Sequence, residues 1–428
     1  MQPETAYRQQ IAQQQWDSLQ QLFQAVTADN PFWISKYAAA QVTVADIRSL
    51  DDLHKLPFCT KAELVADHAA HPPYGSNLTY PLAAYARMHQ TSGTTGKPMR
   101  WLDTPASWDW LMNCWAQIYR IIGLQPDDTL CFPFSFGPFI GFWAAFEGAC
   151  RLGNLCLAGG GMSSLARLRL IEENQATVVC CTPTYALRLA EVAEQQGVDL
   201  KNSSVRAILV AGEPGGGIPS TRARIEQAWG ARLFDHWGMT DIGSLAIESV
   251  GNPGNLYLLE TECIAEIVDP LTLEPVTPGN EGELVITNLG RLGSPVIRYR
   301  TGDRVIAETT PTPDGYELLS LKGGILGRTD DMVTIRGNNL FPSSLEAILR
   351  EFAEIVEYRI TIKTNRGMHH LTMELEPADS LQPAAVKELI EQVGRVIKER
   401  LNFQAEIVSV QTDALPRYEM KARRWNIE

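Results

Sequence analysis

The sequence predicts an α/β protein with a large N-terminal domain and a small α+β domain at the C-terminus. Three observations predict this class: a length of 428 residues, alternating helical and strand-like segments over about residues 105–239, and short strands after about residue 262. Because domains commonly hold about 100 to 200 residues, this length requires two or three hydrophobic cores. A hydrophobic content of 45% is enough to fill them.

The first ninety residues have helical and irregular character. The segment LPFCTKAELV contains a helix start, in which Thr60 caps the first turn and Glu63 stands three positions later. From about residue 105, helical segments alternate with apolar strands such as TLCFPF, ATVVCCTP and VRAILVAG. This alternation predicts a parallel sheet with helices on its faces, with ligands bound at the loops that leave the carboxyl ends of the strands.

The pattern then changes twice. Short strands and turns over about residues 262–325 predict a small antiparallel β subdomain. After GRTDDMV, a short helix, two strands, a long helix and a last strand predict a small α+β domain. We therefore place the domain boundary near Asp330, with one domain over residues 1–329 and a second domain over residues 330–428.

Composition excludes several classes of partner. The net charge of −13 is unfavourable for binding nucleic acid or an anionic membrane, both of which require Lys and Arg. The polar, Gln-rich N-terminus lacks the features of a signal peptide, and the apolar stretch from Leu130 to Phe146 is interrupted by Pro and Gly. The spacing of the eight cysteines matches no metal-binding motif, and this usage is typical of buried thiols in a reducing cytoplasm. We expect a cytoplasmic protein that binds small molecules.

The most informative segment is Thr91-Ser92-Gly93-Thr94-Thr95-Gly96-Lys97-Pro98. Its two glycines allow a tight turn that directs backbone N–H groups inward, four hydroxyls add donors, and Lys97 adds positive charge. These properties predict a polyphosphate-binding loop. The spacing differs from a Walker loop, because only two residues separate Gly93 from Gly96 and Pro98 follows the lysine.

TSGTTGKP resembles the phosphate-binding motif of the adenylate-forming superfamily of acyl-CoA synthetases, nonribosomal adenylation domains and luciferases. LPFCTKAEL, HQTSGTTGKP and GRTDDMVTIRGNNLFPSSLE resemble its phenylacetate-CoA ligase branch and occur in the expected order along the whole chain. The resemblance implies a large adenylate-forming domain followed by a small mobile domain.

The resemblance also implies the nucleotide site. Gly212, Glu213 and Pro214 correspond to the loop beside the adenine, and the adenine motif corresponds to Asp235-His236-Trp237-Gly238-Met239-Thr240-Asp241. Trp237 would stack on adenine in place of the common Tyr, and Thr240 would bond the α-phosphate. Asp241 would bind Mg²⁺ in place of the common Glu, since a carboxylate is a hard oxygen ligand.

Three further sites follow from the resemblance. Asp303 would accept hydrogen bonds from the ribose hydroxyls, and Arg328 would contact the ribose or phosphates. Asp330 corresponds to the hinge between the domains. Lys421 corresponds to the catalytic lysine, with Met420 in place of the usual Gly.

The broken apolar segment aligns with the strand, loop and helix beside the acyl pocket of the family. Phe136, Gly137, Phe139 and Gly141 would lie near the carboxylate substrate, and Gly141 would leave room for a flat ring. Some relatives carry Cys and His after the adenine motif. Because Ser249 and Tyr257 stand at the corresponding positions, we expect no structural zinc.

The resemblance implies an acid–thiol ligase that forms acyl-AMP from ATP, Mg²⁺ and an aromatic acid, then an aryl- or arylacetyl-CoA thioester. The small domain would rotate about Asp330 between the two steps. A first alternative transfers the acyl group to the phosphopantetheine of an acyl carrier protein. A second is a non-catalytic nucleotide-binding regulatory protein. Relatives of this branch often form homodimers, so a homodimer is one arrangement that the resemblance allows.

Overall fold

The computed structural model describes residues 3–91, 98–308, 318–329, 333–335, 338–340, 342–365, 368–401, 403, 405–418, 422 and 424–427. Several predicted site residues lie outside these described residues: the loop from Ser92 to Lys97, the hinge Asp330 and the lysine Lys421.

The N-terminal part consists of helices followed by a β-hairpin. Their bounds are α1 Pro3–Asp29, α2 Pro31–Ala40, α3 Lys61–Ala70, β1 Arg87–Gln90 and β2 Arg100–Asp103. The predicted start of α3 is confirmed: the Thr60 hydroxyl accepts the Glu63 N–H at 3.3 Å, and the Glu63 carboxylate accepts the Thr60 N–H at 2.7 Å. β1 and β2 pair antiparallel, so the predicted phosphate loop connects their ends.

The next part alternates helices and strands, as predicted. The elements are α4 Pro105–Ile121, β3 Thr129–Phe132, α5 Gly141–Leu152, β4 Leu155–Ala158, α6 Ser164–Glu173, β5 Val178–Cys181, α7 Pro183–Gln196, β6 Ala207–Val210, α8 Pro219–Trp229 and β7 Arg232–Met239. Five strands pair parallel in the order β4-β3-β5-β6-β7. The order of the strands reverses at β3, because β4 and β5 lie on its two sides. Such a reversal leaves a crevice at the carboxyl ends of the strands.

Antiparallel strands continue the same large sheet. They are β8 Gly243–Ser249, β9 Asn252–Leu258, β10 Cys263–Val268, β11 Glu281–Asn288, β12 Tyr299–Glu308, β13 Ser320–Leu321 and β14 Gly327–Arg328. β7 joins the two parts, because its first half pairs parallel with β6 and its second half pairs antiparallel with β8. Antiparallel pairing therefore begins at β8, before the residue range predicted for the β subdomain.

The C-terminal part forms a separate sheet with its own core. Its elements are β15 Val333–Ile335, β16 Asn338–Leu340, α9 Pro342–Leu349, β17 Ile355–Asn365, β18 Met368–Pro377, α10 Pro383–Leu401, β19 Glu406–Ser409 and β20 Trp425–Ile427. The sheet order is β19-β18-β17-β20, and the core includes Leu345, Tyr358 and Val393. The predicted fold class, a large α/β domain with a small α+β domain, is confirmed.

Candidate functional site

Three predicted nucleotide residues from distant parts of the sequence meet at one place. The indole Nε1–H of Trp237 donates a hydrogen bond to Asp303 Oδ2 at 2.8 Å, and Arg328 Nη1 lies 3.0 Å from Asp303 Oδ1. Trp237 lies on β7 and Asp303 on β12, while β14 places Arg328 directly opposite Asp303. The residues predicted to stack on adenine and to contact the ribose are thus joined through the Asp303 carboxylate.

Asp235 lies two residues earlier on β7, beside the loop that contains Gly212. A Cβ atom added at Gly216 would stand 2.3 Å from Asp235 Oδ1, so only glycine allows this loop to approach the carboxyl. Burial raises the pKa of Asp235 to about 7, and the nearby Glu248 carboxylate adds to the increase. The loop and Asp235 therefore form one edge of the predicted adenine site.

His236 is directed away from that edge, because side chains alternate between the faces of a strand. Its ring stacks on Trp115 of α4 with centroids 4.8 Å apart. Burial lowers the pKa of His236 to about 3, so the imidazole is neutral at neutral pH.

Gly238, two residues later on β7, allows the backbone to approach closely, since a Cβ there would stand 2.5 Å from Gly243 O. Met239 packs partly against the main hydrophobic core.

A buried ion pair stabilises the turn that contains Thr240 and Asp241. Arg291 binds Asp103 through two hydrogen bonds of 2.7 Å, and both side chains are fully buried. The same guanidinium donates to the Thr240 carbonyl. The Tyr299 hydroxyl donates to Asp241 Oδ2 at 2.7 Å.

Burial raises the pKa of the Asp241 carboxyl, and the hydrogen bond from Tyr299 opposes that increase. Sequence reasoning missed Asp103, Arg291 and Tyr299, since no local motif marks them. Their contacts span 188 positions for the ion pair and 58 for Tyr299 with Asp241.

Only the two end residues of the predicted phosphate-loop segment, Thr91 and Pro98, are among the described residues, and the contacts of Thr91 fix the start of the loop. The Thr91 N–H donates to Met99 O at 2.9 Å, and the Met99 N–H donates to the Thr91 hydroxyl at 3.1 Å. The preceding N–H of Gln90 donates to Pro138 O at 2.7 Å. The base of the phosphate loop is therefore tied to the loop that carries Phe136 and Phe139.

Aromatic rings cluster around the residues that are predicted to line the acyl pocket. Phe136 makes edge contacts with Trp143 and Phe146, with ring centroids 4.8 and 5.4 Å away, and contacts Phe134 at 6.0 Å. The space beside Gly141 is taken by Phe134, whose ring would stand 2.8 Å from an added Cβ. The space that was expected to hold a flat substrate ring beside Gly141 is therefore filled by Phe134 in this structure. The Phe139 ring lies beside Gly137.

The C-terminal segment contacts the large domain at Ala422, the residue that follows Lys421 in the sequence. The Ala422 N–H donates to Glu213 Oε2 at 2.8 Å, and the Thr184 N–H at the start of α7 donates to Glu213 Oε1 at 2.9 Å. Arg424 contacts the Thr184 hydroxyl at 3.3 Å and binds Glu357 on β17. Glu213, predicted near adenine, therefore binds the small domain through one carboxylate oxygen and α7 of its own domain through the other.

The part of the chain that the structure describes contains no group of three or more His, Cys, Asp or Glu side chains placed to hold a metal ion. Ser249 and Tyr257, which stand where some relatives carry possible metal ligands, are both buried. The Tyr257 hydroxyl accepts a hydrogen bond from the Asn252 side-chain amide. No helix among the same residues is both long and apolar enough to cross a bilayer.

Comparison with known proteins agrees with this geometry. Residues 41–290 match the AMP-binding enzyme family, and residues 337–426 match the AMP-binding enzyme C-terminal domain. The chain is 30% identical over 403 residues to the phenylacetate-coenzyme A ligase of Escherichia coli strain K12, which covers 92% of this chain and 89% of the relative.

Two solved structures of 2-hydroxyisobutyryl-CoA ligase differ in how well they fit. The postadenylation state in complex with R3-HIB-AMP gives a TM-score of 0.90 at 28% identity, covering 96% of this chain and 88% of the relative. The thioesterification state with 2-HIB-AMP and CoA gives 0.74 at 29% identity, covering 100% and 91%. The domain arrangement here resembles the postadenylation state. The chain belongs to the AMP-binding, adenylate-forming enzyme family, in its phenylacetate-CoA ligase branch.

Proposed function

We propose that this protein is an acid–thiol ligase that converts an aromatic carboxylic acid into its CoA thioester through an acyl-AMP intermediate. Family membership carries the general reaction, ATP-dependent acyl-AMP formation followed by CoA thioester synthesis. The observation that carries the aromatic substrate is the ring-lined wall around Phe136, tied to the phosphate loop through Gln90 and Pro138. Aromatic rings favour flat apolar ligands through edge and stacked contacts.

In the first step, a carboxylate oxygen of the acid attacks the α-phosphorus of ATP. The bond from that phosphorus to the bridging oxygen breaks, and pyrophosphate leaves. Trp237 would provide the stacking face for adenine, and Asp303 would accept from the ribose. The Thr240 hydroxyl and Lys421 would stabilise the negative charge that grows on the phosphoryl oxygens.

In the second step, the thiol sulfur of CoA attacks the acyl carbon of the mixed anhydride. The bond to the AMP oxygen breaks, and the thiol proton is released. This chain supplies no covalent nucleophile in either step, because both reactants are bound and oriented rather than attached.

Asp241 is the residue of this site that would hold Mg²⁺. Mg²⁺ is commonly held by one or two carboxylates together with substrate phosphates, so a cage of protein ligands is unnecessary. Asp241 is the acidic residue of the turn, and Tyr299 occupies one of its two carboxylate oxygens. The other oxygen would hold the metal, which would neutralise phosphate charge when bound.

The substrate assignment is tested by pyrophosphate release with ATP and a panel of benzoates, phenylacetates, amino acids, short fatty acids and short hydroxy acids. We expect the highest kcat/KM with an aromatic acid, and thioester formation detected by mass spectrometry only when CoA is present. A higher kcat/KM with a short hydroxy acid would contradict the aromatic assignment. Acyl transfer to carrier-bound phosphopantetheine, with none to CoA, would contradict the acceptor.

A further inference from the structure

The carboxylate of Glu213 connects three separate segments of the chain. It accepts the N–H of Thr184 near the N-terminus of α7 and the N–H of Ala422, 209 positions along the chain. A helix N-terminus is a favourable place for a carboxylate, because the first N–H groups lack partners within the helix. The contact to Ala422 therefore starts from a carboxylate that the large domain already holds in place.

A second contact reinforces the same junction. Both terminal nitrogens of Arg424 lie 3.3 Å from the Thr184 hydroxyl, while the guanidinium also binds Glu357 of the small domain. Thr184 thus meets Glu213 through its backbone and Arg424 through its side chain. The described contacts of Glu213 and Arg424 across the junction are hydrogen bonds between polar groups, which can form and separate without exposing an apolar core.

These contacts belong to one arrangement of the domains. This structure fits the postadenylation state of 2-hydroxyisobutyryl-CoA ligase with a TM-score of 0.90 and its thioesterification state with 0.74. A hydrogen bond of 2.8 Å between the domains is lost when either partner moves by more than about 1 Å. We therefore expect the Glu213 contact in the arrangement seen here and its loss when the small domain moves relative to the large one.

We propose that Glu213 is a positioning residue of the first half-reaction, whose carboxylate holds Ala422 of the small domain against the large domain while acyl-AMP forms. The proposal rests on the two-step function proposed above. Release of this contact accompanies the change to the thiol-transfer arrangement, so Glu213 favours acyl-AMP formation without taking part in thioester formation.

The test compares the two half-reactions in Glu213→Gln. The amide keeps the size of the side chain but presents one acceptor oxygen and an NH₂ donor, so one of the two N–H groups loses its partner. Hydrogen bonds to charged groups are worth about tenfold or more in an equilibrium. We expect ATP–pyrophosphate exchange to fall by at least about tenfold, while thioester formation from supplied acyl-AMP and CoA stays within about twofold of the wild type.

Two further variants make the result specific. Thr184→Val removes the hydroxyl that Arg424 contacts but keeps the N–H bound by Glu213, and we expect a smaller loss in the same half-reaction. Glu172→Gln, at an exposed position on α6, removes a carboxylate that makes no described hydrogen bond or ion pair to the small domain and serves as the matched control. It should leave both half-reactions unchanged.

Equal losses in both half-reactions, or no loss in exchange, would overturn the proposal. If Glu213→Gln binds acyl-AMP more weakly than the wild type, the side chain contacts the nucleotide and the positioning role is wrong. If Glu213→Gln does not fold, an unchanged exchange rate in Thr184→Val overturns the proposal and a selective loss supports it. A wild-type protein that forms no thioester with CoA contradicts the proposed function instead, whatever the behaviour of Glu213.

Discussion

At the scale of single residues, the Asp235 carboxyl stands out because it is enclosed beside the Gly216 loop and has a pKa of about 7. In an unfolded chain an Asp has a pKa near 3.9. The folded state therefore binds a proton more tightly than the unfolded state. The stability that this proton contributes is complete below about pH 4 and is lost as the pH rises towards 7.

We predict that Asp235→Asn makes the protein less sensitive to pH. The amide cannot ionise, so the variant should gain stability relative to the wild type by on the order of 1 kcal/mol or more between pH 5 and pH 8. Urea unfolding at both pH values measures this difference. A variant whose stability relative to the wild type is the same at pH 5 and pH 8 would show that Asp235 does not titrate in this range.

We predict that Lys421→Ala abolishes acyl-AMP formation and spares the second step. Removing one positive group that stabilises developing charge typically costs about 10²-fold to 10³-fold in rate. ATP–pyrophosphate exchange should therefore fall by at least about 10²-fold, while supplied acyl-AMP is still converted to thioester. Exchange that survives this change would remove Lys421 from the catalytic assignment.

At the scale of structural elements, the ion pair between Arg291 and Asp103 supports the turn between β7 and β8. Removing one partner leaves a buried charge without compensation, which costs about 3–5 kcal/mol in comparable pairs. We predict that Arg291→Met lowers the free energy of unfolding by this amount and also lowers ATP affinity, because the turn holds Thr240 and Asp241.

The double variant Arg291→Met with Asp103→Leu should recover part of the stability, since it leaves no unpaired charge. Urea unfolding of both single variants and the double variant completes the cycle. A cost below about 1 kcal/mol for Arg291→Met would mean that the pair contributes little to the turn.

Elements were predictable from the sequence where the determining interactions are local. The alternation of helices and strands and the Thr60 capping box depend on neighbouring residues, and both are confirmed. The change of β7 from parallel to antiparallel pairing was not visible, since it depends on partner strands β6 and β8. Motif residues such as Trp237, Asp303 and Arg328 were identified by resemblance. The contact between Glu213 and Ala422 was not, because nothing local encodes it.

At the scale of the whole molecule, the hydrophobic core of the C-terminal part is separate from the two core clusters of the N-terminal part in the described residues. The core around Leu345 and Val393 belongs to the C-terminal part, and the described contacts of Glu213 and Arg424 with the other part are polar. We predict that calorimetry shows two unfolding transitions rather than one, because cooperative unfolding requires a shared core. A single transition whose calorimetric and van't Hoff enthalpies agree would contradict this prediction.

The continuity of the large sheet has a consequence for nucleotide affinity. β7 and β12 are connected through β8, β9 and β13 by unbroken hydrogen bonding, so Trp237 and Asp303 belong to one rigid body. That half of the site is preorganised, and no conformational entropy is lost in bringing the two side chains together when a ligand arrives. Bringing Trp237 and Asp303 together therefore adds no ordering cost when a nucleotide binds.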